Sequence, residues 1–431
     1  MASDPRILVV APDDDRIGPL CQGLDALGWR TVTARDLETA EAALADLPLE
    51  AAIIDGVMPV ASVAALKAAA LPRNLPVLWF GPDGENADLA MRQPPHPAQA
   101  ALRIEQLVRG AIAEEEFGLR RDSFASVGVD LPEPRLDPAP LRILVAGQPD
   151  RRFLGLSNAL AEAGMETVAA PTPYTAFDYL HESAFDAAVL WGGEDHAPAL
   201  SIASGMKRNT RLYHIPLMLY LRGPGEIALT EVFHRGFADI ASAQTDEAET
   251  ARRVIALGRT YRRHLAIRKA LDAGRDSGGV GPATGLFGRD LFAAHLKRIA
   301  EGARERKRPL SVCVLRVSET AAVTAARQGG WLDRALPQIG AMVSRLVRVE
   351  DTPARLASEV FALALPATRG PAARLAAERI AAVIACTAFD AGADKPPFVV
   401  EFQVGAAELG DGENPAALLE RASADLAARE P

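Results

Sequence analysis

The sequence predicts an α/β protein built from successive open sheets, and three observations predict it. A short β-branched run, RILVVA at 6–11, returns as RILVAG at 142–147. Each is too short for a core helix and suits a buried parallel strand. Behind each run, apolar strand-like segments alternate with amphipathic helical ones, the pattern of a three-layer sheet with helices on both faces. A glycine-rich break, RDSGGVGP at 275–282, then opens a third alternating unit.

In the first unit, helical spacing covers 17–27 and 37–45, and a strand fits 29–33 between them. AAIIDG at 51–56 and PVLWFG at 76–81 supply further strands, and a closing helix spans 98–117. The second unit repeats this order with a helix at 151–164, a strand at 165–170, a helix at 174–183 and strands at 185–193 and 215–223. TEVFHRG at 230–236 and a helix over 247–273 follow. Between the two, residues 120–140 hold four prolines and little apolar periodicity, which predicts an exposed linker. The third unit reads as helices at 291–306, 336–348 and 373–389 and strands at 310–317, 358–366 and 397–409. The expected boundaries are therefore 1–118, a linker 119–140, 141–262, and 263–431 comprising a connector helix and the last domain.

A length of 431 residues suits two to four domains, each able to bury a core. The formal charge of -9 gives no global field toward nucleic acid or anionic lipid, so neither polymer binding nor membrane insertion is expected. The start, MASDPRILVV, lacks the basic-then-apolar form of a signal peptide, and no run approaches about 18 to 20 apolar residues. Cys21, Cys313 and Cys386 lie far apart in apolar segments with neither a CxxC signature nor a disulfide framework. Buried thiols in a cytoplasmic protein are expected.

Asp13, Asp14 and Asp55 fall at the carboxyl ends of two predicted parallel strands, where loops converge into a crevice. Carboxylates gathered there suit Mg2+, and an exposed one can accept a phosphoryl group. On these residues the first unit resembles a response-regulator receiver domain, a flavodoxin-like doubly wound fold. Asp13 or Asp14 falls near the acidic pair, Asp55 matches the phosphoacceptor, and Met58-Pro59 the turn after it. Gly81 stands where the switch hydroxyl is usual, and the family's lysine-proline falls at Gln93-Pro94. Loss of that lysine removes a cation for the phosphoryl oxygens. Two readings stay open: phosphorylation of Asp55, or retained acidic geometry without it. The second unit is a more degenerate receiver. Gln148-Pro149-Asp150 replaces most of the acidic pair, and Trp191 or Gly192 occupies the phosphoacceptor position. Asp195 is a metal candidate or a solvated loop carboxylate. Packing or dimerisation is the role expected of this unit.

In the third unit Arg348-Val349-Glu350-Asp351 precedes TPARLASEVFALALP. An arginine fork suits phosphate and the guanine O6/N7 edge, and a carboxylate can accept guanine N–H groups. Alone, the pair is a weak motif that reads by default as a solvated helix end. In context the stretch resembles the GGDEF domain of diguanylate cyclases, a nucleotidyl-cyclase-like α/β fold. The resemblance implies that Arg348 and Asp351 are its product-binding RxxD pair and that Ala357-Ser358-Glu359-Val360-Phe361 is its signature turn. Thr284-Gly285-Leu286 and Phe292 keep its opening motif, while Gly288 replaces an asparagine.

The family's chemistry needs two metal-binding carboxylates, and at one of those positions stands Arg316, with Ser318 next on the same face. A guanidinium there opposes metal by charge, and Glu359 survives alone. Ala357 and Ser358 replace glycines that allow close approach of phosphates, and Thr324 and Ala325 replace the guanine-recognising pair.

The order of units resembles degenerate receiver-receiver-GGDEF response regulators of the PleD/PopA type. That resemblance implies a cyclic di-GMP-binding signalling adaptor, a homodimer without cyclase activity. It would recruit protein partners, protease adaptors or substrates, for regulated proteolysis in the cell cycle, at a cell pole. A second arginine, Arg345 or Arg355, is a candidate helper in binding. The alternatives are a ligand-independent structural scaffold and a residual diguanylate cyclase.

Overall fold

The computed structural model describes residues 5–71, 74–81, 84, 86–91, 96–192, 196–222, 231–232, 235–274, 280–281, 284–392 and 395–427. The chain forms two compact units: Asp4–Ala111 with Leu136–His264, and Ile112–Arg135 with Leu265–Pro431. Gln93, Pro94, Asp195, residues 230, 233 and 234, and most of 275–282 lie outside the described residues.

The first compact unit contains two parallel sheets. In one, β1 (Arg6–Val10), β2 (Arg30–Ala34), β3 (Leu49–Asp55), β4 (Val77–Phe80) and β5 (Leu89–Met91) lie in the order β2-β1-β3-β4-β5. The helices between them are α1 (Asp14–Ala26), α2 (Leu37–Asp46) and α3 (Ala61–Ala69), and α4 (Pro97–Ala125) closes the run. The second sheet has β6 (Arg142–Ala146), β7 (Glu166–Ala170), β8 (Ala187–Trp191), β9 (Leu217–Leu221) and β10 (Asp239–Ser242), in the order β10-β9-β8-β6-β7. Its helices are α5 (Arg151–Glu162), α6 (Pro173–Glu182), α7 (Ala197–Arg208) and α8 (Glu247–Asp272). Both orders are the doubly wound arrangement that brings loops together at the strands' carboxyl ends. The central strands β3, β8 and β9 are buried along nearly their whole length, as two covered faces require. The edge strands β5 and β10 were not predicted, because LAM and DIAS are too short to show alternation.

Asp239 on β10 is wholly buried and is held by Arg253 of α8, whose Nε donates to Oδ2 at 2.9 Å. Gln99 Nε2 of α4 donates to its Oδ1 at 2.7 Å, and Arg103 stands 3.6 Å away. One carboxylate thus fastens both helices to the sheet edge. Burial by itself raises the Asp239 pKa, but the two guanidinium groups and the hydrogen bonds outweigh it and hold the carboxyl below its ordinary value.

The second compact unit has a mixed sheet of β11 (Phe287–Gly288), β12 (Leu310–Val317), β13 (Thr352–Ala357), β14 (Val360–Pro366) and β15 (Phe402–Glu408), ordered β11-β13-β14-β12-β15. Only β11 and β13 run parallel; the other pairs are antiparallel. Its helices are α9 (Arg289–Glu305), α10 (Ala321–Gln328), α11 (Trp331–Leu346), α12 (Gly370–Ala385) and α13 (Pro415–Ala427). Strand β13 went unread because it contains Pro353. The two-residue β11 pairs only with Ala354 and Arg355, so the missing proline N–H costs no bond to β11. The predicted strand at 397–409 shortens to β15, and α10 and α13 are additions to the sequence reading.

The expected linker 119–140 needs correction over its first half. Helix α4 continues to Ala125, and Phe117, Phe124 and Leu131 are buried in one core with Ile267, Phe287, Leu291 and Phe292. Their apolar bulk is too widely spaced among polar residues to stand out as periodicity. The expectation that all three thiols are buried also fails at one position: Cys386, at the end of α12, is exposed. Burial pushes the Cys313 thiol up to about 12, so it stays protonated.

Removing Asp239 leaves Arg103 buried without its counter-charge and Arg253 with only Glu249, 3.6 Å away. Asp239→Ala is expected to destabilise the first unit by about 3–5 kcal/mol in urea unfolding of the full chain. Because the folded pKa is depressed, the stability contributed by Asp239 is complete above the unfolded carboxylate value of about 4 and is lost as pH falls through the lower folded value. Unfolding midpoints measured across that acid window are expected to fall less steeply for Asp239→Ala than for the wild type.

Candidate functional site

Helix α11 ends at Leu346, and the chain turns at once through Arg348–Asp351 into β13. The turn closes on itself: Asp351 Oδ2 accepts from the Arg348 backbone N–H at 2.9 Å, and the Asp351 N–H donates to the Arg348 carbonyl at 3.2 Å. Val349, Glu350 and Asp351 are buried, whereas the Arg348 side chain is exposed. Two arginines distant in sequence hold the turn from behind. Arg120 Nη1 of α4 donates to the Val349 carbonyl at 2.6 Å. Arg268 of α8 donates to the Arg345 carbonyl at 3.3 Å and to that of Val347. The Arg345 carbonyl is one that a helix end leaves without an intrahelical donor.

The stretch 357–361 forms the tip of the β13–β14 hairpin. Glu359 does not stand open: Arg327 of α10 grips both its oxygens, Nε to Oε1 at 2.9 Å and Nη2 to Oε2 at 2.7 Å. The same guanidinium bonds Glu319 at 2.8 and 2.9 Å. The bonds to Glu359 and then Glu319 raise the Arg327 pKa above the usual arginine value, while Glu319 is held below the usual carboxylate range. Arg316, paired with Val360 across the sheet, donates through Nε and Nη2 to Gln403 Oε1 at 2.9 and 2.7 Å. Arg355 donates to the Ser358 carbonyl at 2.9 and 3.2 Å, so its fork fastens the hairpin tip.

In the first sheet Asp55 ends β3 and is buried, accepting from the Val57 N–H at 3.2 Å with Arg16 Nη1 at 3.5 Å. Asp13 caps α1 by accepting from the Asp15 N–H, and Asp14 pairs with Arg35 at 2.9 Å. Gly56 and Gly81 meet backbone to backbone: a Cβ on Gly81 would lie 2.9 Å from the Gly56 Cα, at a φ of +149° that side chains avoid. The position of the missing switch hydroxyl therefore has no room for one.

Among the described residues, no group of three or more histidine, cysteine or acidic side chains is placed to hold a metal ion. Asp13, Asp14 and Asp55 do not form such a group: Asp14 pairs with Arg35, Asp13 accepts from the Asp15 N–H, and Arg16 stands 3.5 Å from Asp55. The metal that the C-terminal fold implies does not fit either, since Arg316 and Arg327 bring positive charge to the positions it would need.

A family model described as diguanylate cyclase, GGDEF domain, matches residues 280–430. Residues 280–430 are a GGDEF domain. The whole chain is similar to response regulator PleD of Caulobacter vibrioides, 24% identical over 436 residues that cover 97% of this chain and 95% of PleD. Two five-stranded parallel sheets followed by a GGDEF domain are consistent with the receiver-receiver-GGDEF order of PleD-type response regulators. The GGDEF domain of DgcB from Caulobacter crescentus, solved in complex with c-di-GMP, is 21% identical, covering 35% of this chain and 86% of that one with a TM-score of 0.33. Among the described residues no helix is long and apolar enough to cross a membrane.

The GGDEF domain keeps Arg348 and Asp351 together in one closed turn, as the motif predicts, and separates them from the 357–361 tip by the length of β13. Arg120, Arg268 and Arg327 escaped the sequence reading. The only cue to Arg120 was its place on the face that carries Phe117 and Phe124.

Without a metal cluster at Asp55, the receiver is expected to show no phosphoryl adduct by intact mass after incubation with acetyl phosphate and Mg2+. A stoichiometric adduct that vanishes in Asp55→Asn would contradict this geometry.

Proposed function

We propose that this chain is a cyclic di-GMP-binding signalling adaptor whose GGDEF domain no longer synthesises the dinucleotide. The observation that carries the reading is the closed Arg348–Asp351 turn beside a hairpin whose carboxylate is taken by Arg327. An exposed guanidinium next to a fixed carboxylate suits a ligand with phosphates and guanine edges. Synthesis, by contrast, requires metal to neutralise triphosphate and to activate a ribose hydroxyl. Here Arg316 and Arg327 supply fixed positive charge but no ligand oxygens, and Ala357 and Ser358 put side chains where glycine would admit phosphate.

The finer reading is that the ligand-bound chain, as a homodimer, recruits partners for regulated proteolysis in cell-cycle control at a pole. It rests on the resemblance to PleD/PopA-type adaptors. A ligand-controlled adaptor must bind the dinucleotide more tightly in one arrangement than in another. The alternative of a ligand-independent scaffold draws on the same turn, because Asp351 also satisfies the Arg348 N–H as an ordinary turn residue does.

Calorimetric titration separates these readings. Wild-type chain is expected to bind cyclic di-GMP saturably, and Arg348→Ala to weaken binding by about tenfold or more, the worth of a charge-assisted hydrogen bond of about 1.5–3 kcal/mol. Asp351→Asn is expected to weaken it as well. Absence of saturable binding by the wild type would favour the scaffold. With GTP and Mg2+ no cyclic di-GMP is expected to form; product that disappears in Glu359→Gln would restore the cyclase reading.

A further inference from the structure

The polar backbone around the ligand turn is satisfied in an unusual way. The carbonyls of Arg345 and Val347 accept from Arg268, that of Val349 accepts from Arg120, and that of Arg348 accepts from the Asp351 N–H. Two of the three donor groups come from helices remote in sequence, α4 and α8. Arg120 is buried, with Glu116, Asp351 and Glu350 as its charged neighbours. Its helix is fixed in the GGDEF core on both sides of it: Glu116 stands 3.6 Å from His295 Nε2 of α9, Ser123 Oγ lies 3.0 Å from His295 Nδ1, and Phe117 and Phe124 are buried. Desolvating a guanidinium is unfavourable, so a buried arginine keeps its place only where fixed acceptors and negative charge compensate. Here the Val349 carbonyl of the ligand turn is an acceptor, and Glu116, Asp351 and Glu350 supply the negative charge.

We propose that Arg120 and Arg268 are positioning residues for the Arg348–Asp351 turn, so that dinucleotide occupancy and the ordering of 112–125 and 265–272 are linked. This rests on the reading of that turn as the ligand site. The turn carries the ligand-facing side chains, and its backbone is set by donors on the two helices. Ligand that requires the set geometry binds more tightly when the donors are docked, and by reciprocity the ligand stabilises their docking by the same factor. Neither arginine touches the ligand in this account; each acts through the carbonyls it holds.

The test is hydrogen exchange and calorimetry on the full chain with cyclic di-GMP as the probe. Saturating ligand is expected to slow exchange in peptides covering 112–125 and 265–272 by about tenfold, within the usual range of such couplings. Arg120→Met is expected to weaken binding by about tenfold and to abolish the added protection in 112–125, and Arg120→Lys to recover part of both. Should Arg120→Met fail to fold, the wild-type exchange pattern decides. Wild type that binds ligand with protection confined to 345–351, or Arg120→Met that binds as tightly as wild type, overturns the inference while leaving the ligand site standing. Wild type that binds nothing overturns the ligand reading, and this inference with it.

Discussion

The structure of the C-terminal domain turns on a backbone problem: where helix α11 gives way to β13, its last carbonyls and those of the following turn must find donors. Unpaired buried carbonyls are costly, and the chain meets the need with guanidinium groups drawn from α4 and α8 and with the turn's own Asp351. This one constraint places Arg348 outward and Asp351 beside it. It also explains why residues 112–135 belong to the GGDEF core even though they precede the second receiver sheet in sequence.

Guanidinium groups recur where the related chemistry would require metal. Arg327 forks onto Glu359, Arg316 stands on the strand that would carry the other ligand, and Arg16 lies beside Asp55. An arginine neutralises a carboxylate as a metal does, yet it offers no open coordination position and cannot lower the pKa of a bound hydroxyl. Arg327 and Arg16 balance the carboxylates they face, while Arg316 is held by the neutral Gln403 amide. We attribute to these replacements the loss of turnover proposed for this domain, while the turn at 348–351, whose geometry depends on backbone donors, is untouched by them.

Much of this was legible in the sequence. Strands with two covered faces, such as β3 and β8, show as unbroken apolar runs, and the repeated RILV start marks the second sheet. The sequence also placed Arg348 and Asp351 where helix passes to strand, which is where α11 gives way to β13. What the sequence concealed has physical causes. Strand β13 was masked by Pro353, which is harmless beside a two-residue partner. The end of α4 lies in a segment whose prolines and charges read as linker, although Phe124 and Leu131 reach a core built from residues far along the chain. Arg120, Arg268 and Arg327 were invisible because the contacts that matter here, to the Val349 and Val347 carbonyls and to Glu359, span 229, 79 and 32 positions. Spacing cannot reveal such contacts.

The central claim is that dinucleotide recognition outlives the metal centre, and equilibrium dialysis of labelled cyclic di-GMP against the full chain in excess EDTA tests it most directly. The account predicts saturable retention that is the same with chelator as with Mg2+. Retention that appears only when Mg2+ is supplied, or none under either condition, would contradict it.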